Sequence, residues 1–369
     1  MNTLHAYCLL ILSAWAPLCY AQTPFVFQTE APIANFAWDE NDTTRYEGHY
    51  LYEQAYQLIE EMLTEQRALS FSDAVFAVEN CFYDGTLNKA EFDAEIARIS
   101  TGVRRMAFLS DLQAPSLDVA LNYCIYLFYT QPCELNHQMP YHYDAYSLIH
   151  DGGLEGGMVA HLLKTGTGTC RSLPYLYKII ADNVGAKAYL ANAPLHTYIR
   201  QQDAEGRWWN FETTTGTYSR SAWIMGHYHV REEAIRSGLY MTNLNAKETI
   251  VQCLYDMLCI YEKKTGFYSN EFVRKCYTLG LRYHYADNLQ KFRINDMKYQ
   301  LDKDAWNAGL RSEAEVREHT VFGPRYEQVL HVKDEFYQMG NHELTPEEYQ
   351  EKYQEALDYL QQKHIPIKP

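Results

Sequence analysis

No run of basic residues occurs anywhere in the 369-residue chain. Acidic residues outnumber basic ones 47 to 32, for a formal net charge of −15. Phosphate backbones are held mainly by clustered Lys and Arg, so this balance weighs against a nucleic-acid partner. There is no CxxC, and no Cys/His set at zinc spacing, which removes the common structural zinc modules. Beyond the first 22 residues no apolar run is long enough to cross a bilayer. Met1 to Tyr7 contain no Lys or Arg, so only the α-amino group is positive there.

After that start without Lys or Arg comes an apolar stretch, Cys8 to Tyr20, then Ala21-Gln22. It is short for a membrane span and fits the h-region of a secretory signal peptide, with small Cys19 and Ala21 where a signal peptidase reads. A signal peptide of about 1–21 is expected, with export to a periplasmic or extracellular space. The competing readings are a buried N-terminal helix and a lipid anchor at Cys19, the latter disfavoured by bulky Leu18. Seven cysteines remain beyond it: Cys81, Cys124, Cys133, Cys170, Cys253, Cys259 and Cys276. An odd number leaves at least one unpaired. Most lie in apolar helical patterns, where Cys acts as a small buried hydrophobe. The 32 tyrosines have apolar bodies and polar tips, so half-buried helix seams are their expected place.

Leu51, Tyr52, Ala55, Leu58, Ile59 and Met62 recur at three- and four-residue steps, which predicts helix. Ser70 to Val78, Lys89 to Ile99 and Leu117 to Tyr129 share the same habit. Residues 132–169 are rich in His, Tyr, Gly and Pro and read as an ordered loop region with a short helix near Met158 to Leu163. Beyond Thr242 the pattern is helical again, at Ala246 to Tyr261, Asn270 to Tyr285 and Leu289 to Leu301. Thr345-Pro346-Glu347-Glu348 is a helix start, with an N-cap Thr and a Glu three residues on. Consecutive helix hairpins there point to stacking of the tetratricopeptide kind. The expected organisation is a signal peptide 1–21, an N-terminal helical region 22–115, a core 116–241 and a C-terminal helical region 242–369.

The core holds the chemistry. Gly166-Thr167-Gly168-Thr169-Cys170 leads into a helix with the stripe Leu173, Leu176, Tyr177, Ile180 and Val184, stopped at Gly185. Pro174 lacks an N–H and belongs in a first turn, which fixes the helix start near Cys170. A sulfur there meets free N–H groups and the positive end of the helix dipole, which favour a thiolate. The preceding glycines would let a substrate approach closely, and the Cys170 N–H could hold an oxyanion. Three strands are then expected: Lys187 to Ala191, Leu195 to Gln201, and Arg207 to Thr213. The last two flank the turn Asp203-Ala204-Glu205-Gly206. His196 and Glu212 come together if the strands pair with residue numbers summing to 408. A three-residue loop (203–205) or a five-residue loop (202–206) gives that, whereas a four-residue loop separates them onto opposite faces. A thiolate attacks a carbonyl, an imidazole moves the proton, and a carboxylate orients the imidazole: Cys170, His196 and Glu212 supply those types in order.

Gly168-Thr169-Cys170 at a helix start, His196 on a strand and Trp208 to Thr214 as a Trp-x-x-x-acid-x-Thr strand together resemble the transglutaminase-like superfamily, a branch of papain-like cysteine enzymes. Glu212 stands where that family usually has Asp, and Asn210 is a rival third member. The resemblance implies an α+β fold, with helices packed on a small antiparallel sheet and helical regions on either side. It implies acyl transfer at a peptide or protein amide (proteolysis, amide hydrolysis or cross-linking) with no cofactor and no metal. The alternative is a catalytically silent scaffold that binds a partner protein through its helical C-terminal half.

Weaker signals take the bland reading. Asn80 to Glu91 resembles half a calcium loop, but Phe82 stands where a ligand is needed, so a helix–turn–helix joint is expected. His227 and His229 share a spacing that suits a metal, without a third ligand. His137, His142, His150, His161, Tyr141, Tyr143 and Asp144 precede Cys170 and are candidates to border its cleft.

Overall fold

In a computed structural model of the chain, Leu51, Tyr52, Ala55, Ile59 and Met62 do line one buried face of a helix, His49–Leu63 (α1). The structure describes residues 47–109, 116–147, 154–342 and 345–362. The expected signal peptide, the first part of the expected N-terminal helical region (22–46) and His150 lie outside the described residues. Phe71–Phe82 (α2) is capped by the Ser70 side chain, which accepts from the Asp73 N–H at 3.2 Å. A turn comes next, then Lys89–Leu109 (α3), so Asn80 to Glu91 is a helix–turn–helix joint. Leu117–Thr130 (α4) starts at the Ser116 cap.

The stretch whose composition suggests loop contains a two-stranded parallel pair, His142–Tyr143 (β1) with Thr167–Gly168 (β2). Val159–Thr165 (α5) lies between the two strands. Two-residue strands leave no periodicity to read, so the sequence pattern gives no sign of them. Ser172–Val184 (α6) ends at Gly185, whose φ of +83° closes the helix in the left-handed region. Leu173, Leu176 and Ile180 are fully buried on it, and each such side chain contributes roughly 1.5–3 kcal/mol.

Next comes an antiparallel sheet in simple order: Ala188–Ala193 (β3), His196–Gln202 (β4), Trp208–Glu212 (β5) and Thr217–Ser219 (β6). The last strand is an addition to the three expected. Each face of the sheet meets its own apolar cluster. Leu190, Ile199 and Phe211 pack with α6 and the N-terminal helices. Ala191, Ala193 and Tyr198 face a second cluster built by later helices.

Those later helices are Ser221–His227 (α7), Glu232–Ser237 (α8), Ala246–Thr265 (α9), Glu271–Tyr283 (α10), Leu289–Asn307 (α11), Glu313–Glu318 (α12), Phe322–Gln338 (α13) and Pro346–Gln362 (α14). The start of α14 is capped as its sequence implies. Thr345 Oγ1 accepts from Glu348 N at 3.3 Å, and Glu348 Oε2 accepts from Thr345 N at 2.7 Å. Helix α9 packs on α1 and α2 as well as on α10, so helices from both ends of the chain share one core. Helices and a small antiparallel sheet in one chain make the fold α+β. Among the described residues no helix is long and apolar enough to cross a membrane.

Candidate active site

The Cys170 turn is built from the loop before it. Gly166 closes α5 with φ +73°, and Thr169 N donates to Gly156 O at 3.1 Å. Ser172, the first residue of α6, ties the turn together: its hydroxyl donates to Gly156 O at 2.6 Å and accepts from Thr169 N at 3.0 Å. A Cβ on residue 168 would sit 2.4 Å from that hydroxyl. Gly168 is therefore required by the packing of Ser172, a different reason from the substrate approach expected. Cys170 lies two residues before the first helical residue, in the turn that leads into α6. It is half-buried, and among the described residues no hydrogen bond uses its N–H. None of the seven cysteines of the described residues forms a disulfide, and five of them are buried.

The β3–β4 connection is Pro194-Leu195, since Ala193 pairs with His196. Leu195 adopts φ +54°, a left-handed conformation that costs a non-glycine residue roughly 1–2 kcal/mol. This turn brings the Leu195 carbonyl 3.7 Å from Cys170 Sγ and sets His196 at the strand start beside the thiol.

The β4–β5 register departs from the expected one. Gln202 pairs with Trp208 and Arg200 with Asn210, so paired numbers sum to 410 rather than 408, and the loop is 203–207. Asp203 explains the shift. Its carboxylate accepts from the N–H groups of Glu205 and Arg207 and its own N–H donates to Arg207 O, which draws Arg207 into the turn. An even sum still puts His196 and Glu212 on one face, but as diagonal neighbours, two residues out of opposition. The longer side chain spans that diagonal: His196 Nε2 lies 2.7 Å from Glu212 Oε2.

A carboxylate only accepts, so Nε2 carries the proton and Nδ1 is the nitrogen left for the thiol. His196 is 8% exposed and Glu212 1%. Burial opposes the imidazolium, but the Glu212 charge and hydrogen bonds to Cys170 and Glu212 outweigh it, raising His196 to about 9. Burial likewise opposes the thiolate. The hydrogen bond and charge of His196, then the charge of Arg171, overcome it and hold Cys170 below its ordinary value. Near neutral pH these directions favour a thiolate–imidazolium pair.

Asn210 does not compete for the histidine. Its amide donates to Ser219 O and Ser221 Oγ at 3.1 and 3.3 Å. In the sequence Tyr228 is only the spacer between two histidines, yet its ring stacks on His196 at 4.2 Å with 13° between planes. Tyr228 in turn meets exposed Trp223, ring centroids 6.2 Å apart, and Trp223 stacks on His227 at 4.5 Å. An aromatic just beyond the end of α7 gives no periodic signal that ties it to a strand histidine. Of the loop candidates, His161 lies 3.5 Å from Asp144 and 3.7 Å from Glu155. Tyr143 lies near enough to Tyr228 to influence it. His229 faces Glu348 at 3.7 Å. Among the described residues no group of three or more His, Cys, Asp or Glu could hold a metal.

Three residues from three separate elements thus meet in one place: His196 is paired with Glu212, and the turn that carries it lies against the Cys170 thiol. Comparison with family models, with curated proteins and with solved structures finds no match.

Proposed function

We propose that the chain is a cysteine-dependent acyl-transfer enzyme of the transglutaminase-like kind, acting on a peptide or protein amide. One observation carries this reading: Glu212 holds the His196 ring at 2.7 Å, and the Leu195–His196 turn lies against the nucleophile, with the Leu195 carbonyl 3.7 Å from Cys170 Sγ. Nucleophile, base and orienting group are then within mutual reach.

In the first step the thiolate attacks the amide carbonyl, forming a C–S bond and a tetrahedral oxyanion that the Cys170 N–H can receive. The oxyanion collapses, the C–N bond breaks, and His196 gives its proton to the departing amine. A thioester remains on Cys170. Water or a second amine attacks it while neutral His196 takes the incoming proton, and the thiolate leaves. Glu212 keeps Nε2 protonated and Nδ1 turned to sulfur throughout. Export belongs to the same proposal, on the strength of Cys8 to Tyr20.

The test offers the protein a library of peptide amides with hydroxylamine as acceptor and tracks Cys170 by mass spectrometry. The reading expects an acyl adduct on Cys170 that hydroxylamine releases and that Cys170→Ala lacks. Acyl transfer that persists in Cys170→Ala overturns it. A complete absence of adduct across the library supports the silent scaffold instead.

A further inference from the structure

A helix buried nearly all round should be apolar, and α9 is buried continuously from Thr249 to Glu262. Asp256 breaks that pattern in its middle. Its Oδ1 lies 2.9 Å from Nη2 of Arg171, the residue after Cys170 and the N-cap of α6. The pair is mostly withdrawn from water, with side-chain exposures of 24% for Arg171 and 8% for Asp256. Tyr175, one turn along α6, borders the same pair. The Tyr255 ring lies 5.9 Å from the guanidinium. Glu79 of α2 joins Arg171, Tyr175 and Asp256 around a void of about 10 Å3, room for about one water molecule. Glu79 also accepts from Val159 N and Ala160 N, at the start of the helix that leads to the Cys170 turn.

None of these groups takes part in the acyl-transfer steps above. A buried ion pair is also a poor source of stability, since apolar replacements of similar size often do as well or better. We propose that Asp256 is a positioning residue that fixes the Arg171 cation beside Cys170, making helix α9 part of the support for the thiolate. The proposal rests on the reading of Cys170 as a nucleophile.

The groups acting on the thiol are His196 from β4, Glu212 from β5, Tyr228 beyond α7 and Arg171 itself. Those acting on Arg171 are Asp256, Tyr255 and Cys259 from α9, Tyr175 from α6 and Glu79 from α2. Burial and Glu212 oppose the thiolate, whereas His196 and Arg171 favour it. Arg171 is the one permanent cation of this set, so its contribution survives when His196 loses its proton.

The test is the pH profile of Cys170 alkylation by iodoacetamide, read by peptide mass mapping. Replacing both partners, Arg171→Met with Asp256→Leu, leaves no stranded charge and should keep the native melting transition. The midpoint should rise, and the rate on the acid limb should fall roughly three- to tenfold. Asp256→Asn should raise the midpoint less, and Asp256→Glu should restore it. A double variant that melts normally with an unchanged midpoint overturns the proposal. If the double variant does not fold, an unchanged midpoint in Asp256→Asn overturns it equally. Failure of the nucleophile reading looks different: Cys170 of the unaltered protein would then react no faster than Cys133, and this proposal would fall with it.

Discussion

Glu212→Asp is the most informative single substitution, because the usual acid of the resembled family is predicted to fail here. His196 and Glu212 are diagonal neighbours in a register summing to 410, and the contact at 2.7 Å depends on the full reach of the glutamate. Removing one methylene withdraws the carboxylate by about 1.5 Å, one carbon–carbon bond. The gap to Nε2 then opens to roughly 4 Å, beyond hydrogen-bonding distance. A hydrogen bond to a charged group is worth about 1.5–3 kcal/mol, or roughly ten- to more than a hundredfold in a rate that depends on it. The assay is the rate of Cys170 alkylation near pH 7, with Glu212→Ala as the reference for complete loss. Glu212→Asp should fall close to Glu212→Ala. An aspartate variant that keeps the full rate would refute the diagonal geometry, since only directly opposed residues tolerate the shorter side chain.

The same geometry sets further outcomes. Tyr228→Ala removes the ring stacked on His196, worth about 0.5–1.5 kcal/mol, and lets water reach the imidazole; stability should drop by at least that amount, and Cys170 alkylation near pH 7 should slow several-fold. Gly168→Ala places a methyl against the Ser172 hydroxyl and should destabilise the fold by about 1–3 kcal/mol in chemical denaturation while loosening the Cys170 turn. The pH dependence of stability carries a sign that can be checked. His196, raised from 6.5 to about 9, contributes stability that is full below pH 6.5 and lost as pH climbs through 9. Cys170, lowered from 9.0, contributes stability present above pH 9 and lost as pH falls through its folded value, so the two slopes oppose each other. Cys170→Ala leaves only the histidine slope, reduced by the share of the His196 shift that Cys170 supplied; stability should still decline between pH 6.5 and 9 more than in the unaltered protein, by less than about 3 kcal/mol, measured by denaturant titration.

The sequence is most legible where one principle acts alone. Pro174 and Gly185 bracket α6 to within a residue or two, because a missing N–H and a left-handed φ each allow few positions. The apolar steps of α1 and the capping pair of α14 are equally direct. The parity of His196 and Glu212 is readable from a hairpin with an odd loop, but their offset is not. That depends on Asp203 drawing Arg207 into the turn, a side-chain choice the strand pattern does not encode. The positive φ of Leu195 is likewise hidden, since nothing in Ala-Pro-Leu-His marks a leucine for a glycine conformation. Tyr228 and Asp256 escape for a further reason: each reaches the site from a distant part of the chain, and only tertiary packing shows where its side chain lands.

The central claim is that Cys170 is the one activated thiol among the seven thiols of the described residues. Limited iodoacetamide labelling at pH 6, mapped residue by residue, tests it most directly. The account predicts that Cys170 is alkylated well ahead of Cys133, the other half-buried cysteine, and of the five buried ones, and that His196→Ala abolishes the lead. Equal labelling of Cys170 and Cys133, or a lead that His196→Ala leaves intact, would contradict it.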